Sequence, residues 1–152
     1  MFSASFAKRL DKVKGPKTLV ASDGDSASEG HAYIAPGGFH LRVVECSKSR
    51  AHLTLDKDTP PVQFVKPSAD VLFESASKCF GDRLLAVILT GMGRDGVNGA
   101  KAVKAAGGKV IVQDEKSSVI YGMPKAAAEA GVADKSISLE EIPEEIVRFL
   151  ED

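Results

Sequence analysis

The chain has 152 residues, 43% of them hydrophobic, with 20 basic and 21 acidic side chains and a formal net charge of −1. That is enough chain for one globular domain with a real core, and so even a balance gives no general field to draw in nucleic acid or an anionic membrane. No stretch approaches the ~20 apolar residues that cross a bilayer, and the opening MFSASFAKRLDKVKGPK has no apolar run of signal-peptide length, so the expected location is the cytoplasm, with no membrane insertion. Cys46 and Cys79 stand apart from one another and from any close histidine. They match no metal-ligand spacing and are expected to be free thiols.

Phe2, Phe6 and Leu10 recur at helical spacing and predict an amphipathic helix over 2–12, stopped by Gly15-Pro16. A strand is expected around Thr18–Ala21, then the turn-rich DGDSASEG, then a short strand at Ala32–Ala35 closed by Pro36-Gly37-Gly38. Phe39–Glu45 and Ala51–Asp56 flank a polar turn and predict a hairpin, with His52, Thr54 and Asp56 on one face and Leu53 and Leu55 on the other. Ser68 is placed to cap a helix carrying Val71, Leu72, Ser75, Ala76 and Cys79 along one side.

From Leu84 the pattern becomes regular. A strand at 84–90, read as buried on both faces, leads to a helix at 97–106, a strand at Lys109–Gln113, a helix from Pro124 to Ala130, a short strand near Ala133–Ile137 and a final helix. In that last helix Pro143 suits the first turn, Glu144 and Glu145 face the positive end of the dipole, and Ile142, Ile146 and Phe149 share a side. Strand–helix alternation of this kind implies right-handed βαβ units and a parallel, doubly wound α/β sheet.

The turn Gly91-Met92-Gly93-Arg94-Asp95-Gly96 lies at the carboxyl end of the 84–90 strand, where such sheets gather ligands and chemistry. Three readings are open on the residues alone. The turn satisfies G-x-G-x-x-G, and Asp114, at the end of the next strand, stands about where a ribose-binding acid belongs. Against a dinucleotide, Asp95 would set a carboxylate beside the pyrophosphate. Asp95 could instead be an N-cap for the helix that follows, or a catalytic acid that orients a histidine.

GMGRDG together with QDEKSSVIYGMPKAA (Gln113–Ala127), GHAYIAPGGFHL (Gly30–Leu41) and the early SFAKRLDK closely resembles the catalytic domain of the chemotaxis protein-glutamate methylesterases. The resemblance runs the length of the chain in the right order. It implies a doubly wound, mostly parallel α/β (Rossmann-like) fold with a β-hairpin, no cofactor, and hydrolysis of γ-glutamyl methyl esters on the cytoplasmic helices of methyl-accepting chemoreceptors, with deamidation of glutamines in many members. It implies a Ser-His-Asp mechanism in which Asp95 matches the aspartate and Met92 the residue whose backbone N–H helps form the oxyanion hole.

The family's serine turn and its Gln-His-Met segment have no counterpart in these 152 residues. His31 and His40 match positions that the family commonly fills with structural histidines, and His52 sits in the hairpin. Ser117 and Ser118 belong to a segment close to the family's active site. They are read as substrate-side or structural, because without an adjacent base neither hydroxyl is activated. Arg94 is either solvated or attractive to acidic receptor helices.

The expectation is therefore residues 1–152 of a partial methylesterase domain, its C-terminal two-thirds, without the family's first strands or a receiver domain. Such a chain would be inactive alone and, with strand edges and apolar faces uncovered, prone to low stability or self-association. The rival from another class is a non-catalytic module that docks on receptors or other proteins.

Overall fold

The computed structural model describes residues 2–47 and 50–152. In chain order the elements are α1 (Phe2–Leu10), β1 (Lys17–Val20), β2 (His31–Ile34), β3 (His40–Val44), β4 (His52–Asp56), α2 (Ala69–Phe80), a short 3₁₀ turn (Gly81–Arg83), β5 (Leu85–Ile88), α3 (Val97–Ala105), β6 (Lys109–Gln113), α4 (Met123–Glu129), β7 (Lys135–Ile137) and α5 (Ile142–Glu151). The fold is α/β with mostly parallel pairing. β1 runs parallel to β2, β5-β6-β7 form a parallel sheet in that order, and β3–β4 is the antiparallel hairpin, with Leu41 opposite Leu55 and Val43 opposite Leu53.

Two apolar clusters hold these pieces. One joins Ala86 and Ile88 of β5, Val110 and Val112 of β6, Val97, Ala100 and Val103 of α3, and Ala127 of α4. The other joins Ala21, Leu41, Val43, Leu53 and Ala76, so the hairpin packs on α2. Leu84 touches both and carries the packing from one to the other.

Two expectations about the strand after Leu84 are corrected. The strand predicted over 84–90 is shorter, and it alternates, with Ala86 and Ile88 buried and Leu85 and Val87 half-buried. It lies at a sheet edge, and it is the central β6 that is buried on both faces, from Val110 to Gln113. The amphipathic helix expected over 2–12 forms over Phe2–Leu10; Ala7 is buried, while Phe2 is 80% exposed and stacks on Phe6 at 5.9 Å between ring centroids.

The cysteines are not free. Cys46 and Cys79 form a disulfide with their Cα atoms 5.4 Å apart, within the usual range for such bonds. The cause is tertiary. The Val43 N–H donates to Ser75 Oγ at 3.0 Å, which lays the end of β3 along the last turns of α2 and brings Cys46 beside Cys79.

Candidate active site

β5 runs out into the GMGRDG turn, and the loop after β6 is laced to it. The Gly91 N–H donates to the Ile120 carbonyl at 3.1 Å, and the Met123 N–H donates to the Gly91 carbonyl at 2.8 Å. Thr90 exchanges bonds with Ile120, and its N–H donates to Oε1 of the buried Gln113 at 2.8 Å. Glycine is required at 122, because a Cβ there would lie 2.6 Å from the Gly91 carbonyl oxygen. Gly93 and Gly96, at φ +97° and +95°, occupy the left-handed region that turns the chain into α3.

Asp95 is 8% exposed, and its carboxylate does not cap the helix that follows it, whose N-cap is Gly96 with no side-chain bond. It caps α2 instead. Oδ2 accepts the Ala69 N–H at 2.7 Å, and Oδ1 accepts the Asp70 N–H at 3.1 Å and the Ser68 hydroxyl at 2.6 Å. Asp70 answers in kind, its Oδ1 accepting the Gly99 N–H of α3 at 2.7 Å. Two helices thus cap each other's N-termini, each supplying the acid that satisfies the other's orphan donors. Asp70 Oδ2 is buried without a partner among the described residues.

The role expected of Ser68 is corrected accordingly. It stands at the N-cap of α2 but makes no side-chain cap bond, because Asp95 already takes the amide donors of that turn. Its hydroxyl is a donor to Asp95 rather than an acceptor. Its own N–H donates to His40 Nδ1 at 3.2 Å, and His40 Nε2 lies 2.9 Å from the Pro60 carbonyl. These partners assign the proton to Nε2, with Nδ1 as acceptor.

The remaining candidates are plainly placed. Met92 is 83% exposed, and its backbone N–H donates to nothing among the described residues. Arg94 is exposed. Ser117 donates its hydroxyl to Asp114 Oδ1 at 2.6 Å, and Ser118 donates to the Asp114 carbonyl at 2.6 Å, so both hydroxyls close their own loop. Asp114 is held below the usual carboxylate range by the Ser117 hydroxyl first and the Ser117 N–H second. Both bonds fall on Oδ1, so Asp114 serves as the acceptor of its own turn. Among the described residues no histidine is a partner of Asp95: His31 meets the Glu29 carbonyl, His40 is held as above, and His52 lies in β4.

The contacts of Ser68, Asp70 and His40 with this corner escaped sequence reasoning. The nearest clue is the Ser-Ala-Asp run that opens α2, but its partner is 27 positions away from Ser68.

Comparison with known proteins gives the same family from three directions. The family model described as CheB methylesterase matches residues 1–146. The curated protein-glutamate methylesterase/protein-glutamine glutaminase of Pyrococcus horikoshii is 45% identical over 99% of this chain, and its counterpart numbered 1 in Rhodospirillum rubrum is 44% identical over 97%. The chain spans only 40% and 38% of those two proteins. The crystal structure of the Thermotoga maritima CheB methylesterase catalytic domain superposes with a TM-score of 0.92 at 38% identity, covering 97% of this chain and 77% of that one. With its motifs in order and its fold matched, the chain belongs to the CheB methylesterase family.

Proposed function

We propose that this chain carries the acid corner and one oxyanion donor of a Ser-His-Asp site that hydrolyses γ-glutamyl methyl esters on chemoreceptor helices in the cytoplasm. The observation that carries this reading is the buried Asp95 carboxylate at the mouth of β5, with Ala69 as the one donor on Oδ2 among the described residues. A carboxylate oxygen accepts two bonds, so Oδ2 keeps a lone pair for an imidazole N–H. An acid so held fixes the histidine's tautomer and stabilises the imidazolium as it forms.

The serine and histidine belong to family motifs that these residues do not contain. Brought beside Asp95, the histidine takes the serine proton as the serine oxygen attacks the ester carbonyl. The Met92 N–H, which donates to nothing among the described residues, suits the oxygen that becomes negative; such donors are worth about 2.7–4 kcal/mol of barrier elsewhere. The histidine passes its proton to the departing methoxide, methanol leaves, and water reverses the steps to release glutamate. The same acyl chemistry with ammonia as leaving group would serve glutamine, in keeping with the glutaminase half of the relatives' names.

Ser117 and Ser118 shape the neighbouring loop in this account, and Arg94 faces the acidic receptor. The test is methanol release from methylated receptor. The 152-residue chain alone is expected to release none, and release at an enzymatic rate would overturn the division of labour proposed here.

A further inference from the structure

We infer that Ser68, backed by His40, is a positioning residue that fixes the rotation of the Asp95 carboxylate, a role that rests on the reading of Asp95 as the acid of the triad. The last torsion of an aspartate is broad and roughly two-fold, so burial alone does not aim its oxygens. Two amides from α2 touch the Asp95 carboxylate, at 2.7 and 3.1 Å, and the longer of them shares Oδ1 with the Ser68 hydroxyl at 2.6 Å. A short O–H donor to an ionised oxygen is the strong member of such a set. It pins Oδ1, which leaves Oδ2, carrying the Ala69 N–H, as the oxygen with a lone pair for a histidine.

Ser68 is itself held for this task. Its backbone is extended, at φ −116° and ψ 135°, and its hydroxyl makes no bond to its own helix. The fully buried His40 sets that backbone, accepting the Ser68 N–H on Nδ1 while Nε2 meets the Pro60 carbonyl. An N-cap serine would need only to accept an amide. Here the acceptor role has passed to Asp95 and the hydroxyl is spent as a donor, which is the arrangement a merely structural cap does not require.

The test reads the rotation of the Asp95 carboxylate, in the 152-residue chain, by the couplings across the hydrogen bonds from the Ala69 and Asp70 amide nitrogens to Asp95 Cγ. The parent is expected to show both couplings, Ser68→Ala to reduce or lose them, and Ser68→Thr to keep them. Unchanged couplings in Ser68→Ala overturn the inference. If Ser68→Ala does not fold, Ser68→Cys, which keeps the size and weakens the donor, is read in the same way.

A second arm uses the chain joined to a CheB segment bearing the serine turn and the Gln-His-Met histidine. There Ser68→Ala is expected to lower kcat roughly tenfold to a hundredfold with KM unchanged, and Ser68→Thr to recover it; an unchanged kcat overturns the positioning role. Should Asp95→Asn also leave kcat intact, the triad reading fails, and the couplings still report whether Ser68 holds Asp95.

Discussion

The Asp70 carboxylate accepts the Gly99 amide at 2.7 Å, across a contact so close that a methyl on Gly99 would lie 2.6 Å from Phe73 Cβ and 2.9 Å from the Asp70 backbone. Asp70 opens α2, and Gly99 lies in the first turn of α3. The bond is one half of an exchange whose other half is the Asp95 carboxylate on the Ala69 and Asp70 amides. The placing of Asp95 therefore depends on how closely two helices approach, and Gly99 is what permits that approach.

Gly99→Ala should destabilise the fold. Alanine gains about 1 kcal/mol of helix propensity over glycine, but the added methyl meets backbone that cannot give way without parting the helices, so the net effect is a loss of about 2 kcal/mol or more. Chemical denaturation would show it as a lower midpoint with an unchanged slope. A stabilised variant would mean that the two helices do not meet as described.

Acid should loosen the turns before the core. Asp56 is held well below its ordinary 3.8, by the Thr59 hydroxyl first, then the Thr59 N–H and Arg42. Asp23 is lowered by the Leu55 N–H and the Thr54 hydroxyl, and Glu141 by the Ser138 hydroxyl and N–H. A carboxyl lowered in the folded state adds stability that is present above its unfolded value and is lost as pH falls toward its folded value. The Tm should hold near pH 6 and fall progressively below about pH 4, and Asp56→Asn should flatten part of that fall. A Tm independent of pH over this range would contradict the assignment.

Reduction should cost stability without changing the fold. The Cys46–Cys79 bond ties the end of the hairpin to α2 across a sequence separation of 33. Chain-entropy reasoning gives about 3–4 kcal/mol for a loop of that length. The check is the Tm with and without reductant, beside Cys46→Ser/Cys79→Ser, which should melt like the reduced parent and ignore the reductant. A parent that is equally insensitive would show that the two thiols are not joined.

The isolated chain should self-associate. Among the described residues β1 and β2 have no strand partners beyond each other, β5 is an edge of its sheet, and Phe2, Phe6, Met92 and Val119 are exposed. Open edges and uncovered apolar side chains invite pairing with other copies. Sedimentation velocity should show species that grow with concentration, and a monomer throughout the micromolar range would count against this.

Local pattern made much of the fold legible, and the exceptions share one cause. The alternation from Leu84 to Glu151 could be read because each short apolar run is bounded by glycine, proline or a polar turn, and the hairpin because Leu53 and Leu55 alternate with His52 and Thr54. The place of the GMGRDG turn between a strand and a helix, which marks it as a candidate site, was legible too. What could not be read depends on packing between distant segments. Cys46 meets Cys79 only because β3 lies along α2, and Asp95 caps α2 only because two helix ends face each other. Local rules assigned Ser68 to the helix that follows it and offered the same role for Asp95, and the structure joins the two side chains to one another instead.

Asp95 is the centre of this account, and one measurement bears on it most directly. The chain, joined to a CheB segment that carries the serine turn and the Gln-His-Met histidine, is assayed for methanol released from methylated receptor, as the parent and as Asp95→Asn. The parent is expected to release methanol steadily and Asp95→Asn to show a kcat lower by about three to four orders of magnitude, the scale seen when a triad loses the acid that sets its histidine's tautomer. Equal rates in the two proteins would show that Asp95 is a helix cap and nothing more.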